Sequence, residues 1–298
     1  MSSMSLRLNP ATGMLAVVGC ALLWSTGGLA IKLVDAHPLF IAAVRSGIAF
    51  LFMAFLLPRP FFRLTRTEVI AAIGNTATML LFVCANKMTS AANAILLQYA
   101  APVWTAILGA LILKEKIHKE HVGALISVAV GLLVLFSGSL GGGALVGDLM
   151  AFLSSFSFAI FFVGLRKAKA SSPLRAVALS HLLTAIAGFS ILPLLGTPFI
   201  PQSGLDLTAL GALAWLGIGQ IGISGMLLSW GIQRTSAISA NLIAVIEPVF
   251  NPVWVFVILG EVPATTSIIG GAIILGSVCV SSAISARRQL LAPDESSV

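Results

Sequence analysis

Runs of about 20 apolar residues follow one another along almost the whole chain, which leaves few folds open to it. They lie roughly at 14–34, 39–57, 69–88, 91–113, 121–138, 148–165, 174–195, 208–230, 236–259 and 264–284. Only short stretches with turn-forming residues separate them, such as His37-Pro38, Pro58-Arg59-Pro60, the glycine-rich stretch 138–147 and Ser172-Pro173. Of the 298 residues 58% are hydrophobic and 9% charged, where a soluble domain carries about 25% charged residues. This balance excludes an ordinary cytosolic enzyme, a disordered chain and a typical nucleic-acid binder. The expected fold class is all-α, a polytopic membrane protein with ten transmembrane helices. The first run is too long for a signal-peptide core and reads as a retained span.

The net charge of +7 has its origin in topology. If the chain alternates sides after each span, 14 of the 17 basic residues fall on one face, Lys32 and Lys87 on the other, and Arg45 alone inside a span. The positive-inside rule then puts both termini in the cytoplasm, in agreement with an even number of spans. Cys20, Cys84 and Cys279 all lie in apolar runs, where cysteine acts as a small hydrophobe. Their spacing suits neither a disulfide framework nor zinc.

Residues 87–115 align without a gap on residues 233–261, with ten identities in 29 positions. The matches include Thr89-Ser90-Ala91 with Thr235-Ser236-Ala237, Pro102 with Pro248, and Glu115 with Glu261. The repeated unit holds five spans. An odd number sends the second copy into the membrane upside down, so the expected organisation is two inverted five-helix repeats, 1–138 and 147–298, joined by a glycine-rich segment at 139–146. Carriers built this way hold solute near the bilayer midplane, between the halves.

The TSA tripeptide, mid-span proline and terminal glutamate in each half, the Trp24-Ser25 pair and the position of Arg45 give the chain a resemblance to the drug/metabolite transporter superfamily. Over residues 12–284 it is similar to the EamA-type ten-helix exporters, with Glu247-Pro248 and Gly260-Glu261 close to that pattern. The first half departs from it, carrying Lys114-Glu115 where Gly-Glu is usual, and Gly is the easier helix end. The resemblance implies fold and transport, with export as the direction; it does not identify the cargo.

Glu247 sits about twelve residues into a span, near the midplane, where a charged group normally faces a cavity or a partner. Two roles stay open for it: a carboxylate for protons or a substrate amine, or a hydrogen-bonded residue that shapes the helix. Asn251 lies one turn on. Pro102 and Pro248 are candidate hinges and equally candidate static kinks. Asn75, Thr78, Met79 and Phe82 share one face of the third helix. Gln220 and Ser224 share a face of the eighth, Gln98 and Tyr99 lie in the fourth, and Trp24 and Ser25 stand opposite Phe158 and Ala159 in the repeat alignment. As a group these residues suit the wall of a cavity for a small amphipathic solute; singly, each also suits interhelix hydrogen bonding or packing. Arg45, near the outer surface, suits outward snorkelling or pairing with Glu261 or Asp35; a crossed arrangement gives two polar locks, Arg45 with Glu261 at the outer end and His181 with Glu115 at the inner end. Small residues at Gly123, Ser127 and Gly131, and at Ala272 and Gly276, suggest close packing of the fifth and tenth helices.

The leading expectation is a secondary transporter exporting small metabolites such as amino acids by alternating access, with a membrane channel or a non-transporting scaffold as the other class. No G-x-x-x-x-G-K-[ST] phosphate loop occurs. No Ser/His/Asp set or H-E-x-x-H string points to an intramembrane enzyme. No cofactor or metal is implied. The expected partners are a small-molecule substrate, membrane lipids and, through Glu247, protons, with no nucleic acid. One chain holding both halves is expected to act as a monomer in a bacterial inner membrane.

Overall fold

A backbone crossing hydrocarbon must satisfy its own N–H and C=O groups, and an α-helix does so within one segment. The computed structural model describes residues 10–57, 63–89, 91–137, 145–196, 204–260 and 264–291, and no strand occurs among them. Nine helices among the described residues are long and apolar enough to cross a membrane. A shorter apolar helix over Ala237–Phe250 stands in the place of the expected ninth span.

In chain order the first half consists of α1 (Pro10–Ser25), α2 (Gly27–Lys32), α3 (Pro38–Leu56), α4 (Arg66–Met88), α5 (Ala91–Gln98), α6 (Ala101–Leu108) and α7 (Lys119–Phe136). The second half consists of α8 (Leu145–Lys167), α9 (Pro173–Leu194), α10 (Leu207–Trp215), α11 (Ser224–Gly231), α12 (Ala237–Ala244), α13 (Glu247–Leu259) and α14 (Thr265–Leu291). Residues 139–144 of the expected join lie outside the described residues, and α8 already begins at Leu145.

The main packing partners are α3 with α9, α4 with α8, α7 with α14 and α1 with α11. Each pair joins one half to the other, and the pattern is unchanged when the halves are exchanged. The counterpart helices run in opposite directions. A Cβ at Gly188 of α9 would lie 2.8 Å from Ala43 of α3, whereas one at Gly47, further along α3, would meet Ala185, earlier in α9. Equivalent helices oppose each other about a two-fold axis in the membrane plane, as five spans per unit require.

Four of the ten spans are not continuous α-helices. The first breaks at Thr26, where the Ser25 and Thr26 hydroxyls donate back to the Leu22 and Leu23 carbonyls at 2.6 and 2.7 Å. The fourth breaks at Tyr99-Ala100 and the ninth at Val245-Ile246. The eighth widens into a π-helical stretch over Leu216–Ile223, between α10 and α11. Pro102 and Pro248 stand in the first turns of α6 and α13, where proline's missing N–H needs no partner. The prolines therefore start half-helices instead of kinking continuous ones. At the end of the fourth span Lys114 takes φ +56°, the left-handed conformation that Gly260 takes at +72° at the end of the ninth. The repeat has kept the backbone turn although only the second half kept the glycine.

The close crossing of α7 and α14 does not use both expected stripes. Gly131 faces Gly270: a Cβ at Gly270 would lie 2.5 Å from the Gly131 carbonyl oxygen and 2.5 Å from the Leu135 nitrogen. Gly123 and Gly276 have open space instead. Gly270→Leu is therefore expected to destabilise the protein by about 1–3 kcal/mol through overpacking, while Gly276→Leu stays within about 0.5 kcal/mol. Thermal unfolding of the two variants in the same detergent checks this, and equal melting temperatures would contradict it.

Candidate functional site

The interruptions gather polar side chains in the middle of the bundle. Arg45 lies two turns into α3, and its guanidinium reaches the Gln220 Oε1 at 3.3 Å and the Met79 Sδ at 3.8 Å. Gln220 lies in the π-helical stretch and also donates to the Trp24 carbonyl at 3.3 Å. Gln220 packs against Gly27 just past the first break: a Cβ there would lie 2.7 Å from the Gln220 Nε2. Glu247 is the first residue of α13, where the partial positive charge of a helix N-terminus favours a carboxylate. Tyr99, at the break of the fourth span, donates its hydroxyl to Glu247 Oε2 at 3.2 Å. Cys20 of α1, fully buried, lies within electrostatic reach of Glu247. Trp24 and Phe158 face each other with ring centroids 6.0 Å apart.

Arg45 and Glu247 lie within electrostatic reach of each other, yet no hydrogen bond or ion pair joins them among the described residues. The Nε of Arg45 is buried without a partner. A guanidinium has five N–H donors and a carboxylate accepts about four hydrogen bonds. Among the described residues Arg45 therefore retains an unused donor, and Glu247 accepts from Tyr99 alone.

Other sequence candidates sit elsewhere or bond within the scaffold. Asn75 donates to Ser180 of α9 at 2.8 Å, and Thr78 donates to the Gly74 carbonyl one turn back. Gln98 donates to Ser154 of α8 at 3.1 Å, and Ser224 bonds the Gln220 carbonyl. Phe82 packs in a small cluster with Ala85, Ala94 and Ala151. Ser25 accepts from Trp254 Nε1 at 2.7 Å and so braces the first break. Pro102 and Pro248 are both buried. The side chain of Asn251 and the whole of Glu261 lie outside the described residues, and with Glu261 so does the expected lock with Arg45.

The expected contact of His181 with Glu115 is not formed. His181 is 2% exposed, lies near Arg45, and its Nδ1 has no partner. Glu115 instead pairs with Arg166 at the end of α8, Nε to Oε1 3.3 Å, and accepts from the Ala237 N–H at 3.1 Å at the start of α12. Arg166 also donates to the Ile232 and Gln233 carbonyls at 3.0 and 2.8 Å. Burial pushes the Glu115 carboxyl up, against the pull of Arg166 and of the Ala237 N–H. Two more ties stand at this end. Glu68, fully buried, takes Arg175 at 3.0 Å, the Ser172 N–H and its own helix cap at Thr65; Glu120 takes Arg288 at 3.1 Å. Each of the three joins the two halves.

Loop basic residues read as topology alone conceal Arg166. A signal for it was present in the sequence. The register that puts Trp24 on Phe158 also puts Lys32 on Arg166, so each half carries a cation at the place matching the other's.

The EamA-like transporter family model matches the chain twice, over residues 11–137 and 145–283, once in each half. An uncharacterized transporter of Archaeoglobus fulgidus is 28% identical over 275 residues, covering 90% of this chain and 96% of its own. The uncharacterized transporter YdfC of Bacillus subtilis is 28% identical over 195 residues, 65% of this chain and 63% of its own. A solved crystal structure superposes with a TM-score of 0.79 at 22% identity, over 95% of this chain and 99% of its own, and shares the fold.

If Arg166 holds the basic end shut, Arg166→Gln leaves Glu115 without its cation and frees two carbonyls. Loss of one charge-assisted contact is expected to raise the open population roughly tenfold. The readout is the thiol-labelling rate of Ser239→Cys, a position 4% exposed, in detergent and with the three native cysteines replaced by serine. An unchanged rate would show that this tie does not control closure.

Proposed function

We propose that this chain, which belongs to the EamA-like transporter family and is a multi-pass membrane transporter, exports small metabolites such as amino acids by alternating access. The observation that carries this reading is that Arg45 pairs with Gln220, and Tyr99 with Glu247 within electrostatic reach of it, at the interruptions of the fourth, eighth and ninth spans. Interrupted helices at midplane depth are tolerated where they line a site, and inverted repeats place that site at their interface.

In this reading the basic end faces the cytoplasm, with both termini there, and the three arginine–glutamate ties hold it closed. Toward the opposite end lies an apolar cleft of about 370 Å³, lined by Thr26, Leu29, Trp215, Trp254 and their neighbours. The breaks before Pro102 and Pro248 are the places where half-helices pivot as the site changes sides. Inverted symmetry supplies the second state, because exchanging the conformations of the two halves turns one open end into the other.

A reversible bridge across the basic end tests alternation. With Glu115→Cys and Arg166→Cys joined by a short bifunctional thiosulfonate, solute counterflow in proteoliposomes is expected to fall at least about tenfold and to recover on reduction. Undiminished flux through the bridged protein would overturn alternating access. Flux that never saturates with solute would favour a channel, and no flux of any solute a scaffold.

A further inference from the structure

We propose that Arg45 selects the cargo: it docks a carboxylate while Glu247 takes an ammonium group of the same molecule, so that the solute is a small zwitterion. This rests on the transporter reading above and adds to it the two groups that the site recognises.

Two opposite charges inside a membrane protein lower their cost by pairing directly. Here each is held by a neutral side chain instead, Arg45 by Gln220 at 3.3 Å and Glu247 by Tyr99 at 3.2 Å. The second contact of Arg45 is the weak acceptor Met79 Sδ at 3.8 Å, and its Nε has none. The arrangement keeps a cation and an anion within electrostatic reach of each other, with a donor of Arg45 to spare. Planar guanidinium suits a carboxylate in a forked pair of hydrogen bonds. An ammonium supplies the N–H donors that the Glu247 carboxylate accepts.

Charge balance favours a molecule that carries both groups. A simple amine satisfies Glu247 and leaves Arg45 facing a second cation; a simple acid does the reverse. A zwitterion satisfies both without changing the net charge of the site. Trp24, its ring 6.0 Å from Phe158, offers an apolar wall to the remainder of the solute. His181, close to Arg45 and buried, adds no anion.

The test uses the full chain in proteoliposomes preloaded with a mixture of the proteinogenic amino acids, following uptake of each in labelled form. At least one is expected to exchange. Its decarboxylated amine and its deaminated acid are expected to compete at least about tenfold more weakly than the amino acid itself, the cost of one lost charge-assisted contact. Arg45→Gln is expected to erase the discrimination against the amine, Glu247→Gln that against the acid, and Arg45→Lys to retain part of the first. The wild-type competition series needs no variant, so it decides the matter even where Arg45→Gln fails to fold. Exchange of uncharged metabolites or plain amines alone overturns the proposal and leaves the transporter reading standing. Discrimination that persists in Arg45→Gln also overturns it. Absence of flux for every solute removes the transporter reading and this proposal together.

Discussion

Hydrocarbon offers a peptide group no hydrogen-bond partner, and the rest of this structure depends on that constraint. It makes every described element helical and restricts helix interruptions to the protein interior. Three breaks and two π-helical stretches, Gly109–Leu113 and Leu216–Ile223, occur among the described residues, and the three breaks find compensation in the bundle. At the first break the Ser25 and Thr26 hydroxyls bond backward to carbonyls and accept from the indoles of Trp254 and Trp215. At the second and third, Pro102 and Pro248 begin new half-helices with no N–H to satisfy. Where helices stop and restart, side chains can turn toward the middle, and Tyr99, Gln220 and Glu247 do so.

The charged residues divide into two groups with different physics. At the basic end, Glu68, Glu115 and Glu120 each meet an arginine from the other half. Arg166 spans a carboxylate and two carbonyls, and Glu68 accepts from Arg175 and from the Thr65 and Ser172 N–H groups. Such ties are specific and can be broken and re-formed, which suits an end that opens. In the middle, Arg45 and Glu247 are each held by a neutral side chain, Gln220 and Tyr99, and the Arg45 Nε has no partner. The crossing of α7 and α14 is different again, because around Gly131 and Gly270 it depends on close backbone approach, which suits a support.

Much of the fold was legible in the chain. Apolar runs of span length mark the helices because burial in lipid is additive along a segment and needs no knowledge of neighbours. The TSA and proline matches reveal the repeat, and counting spans reveals its inversion. Less of the site was legible. Glu247 and Tyr99 each stood out, one as a carboxylate deep in a span and the other as the single tyrosine. Nothing local showed that they touch across 148 residues. Depth along α3 does not give azimuth: the Arg45 guanidinium meets Gln220, while the expected partner Glu261 lies outside the described residues. Depth likewise does not place His181 beside Glu115: His181 lies within electrostatic reach of Arg45, and Arg166 takes the Glu115 carboxylate.

The sequence by itself determined a helical membrane protein of doubled, inverted design, since hydropathy and span parity are properties of a single strand of residues. Tertiary structure alone decided which charge meets which. Hydrogen bonds and buried ion pairs depend on separations of a few ångströms between helices far apart in the chain, and a small rotation of one helix is enough to change the partner.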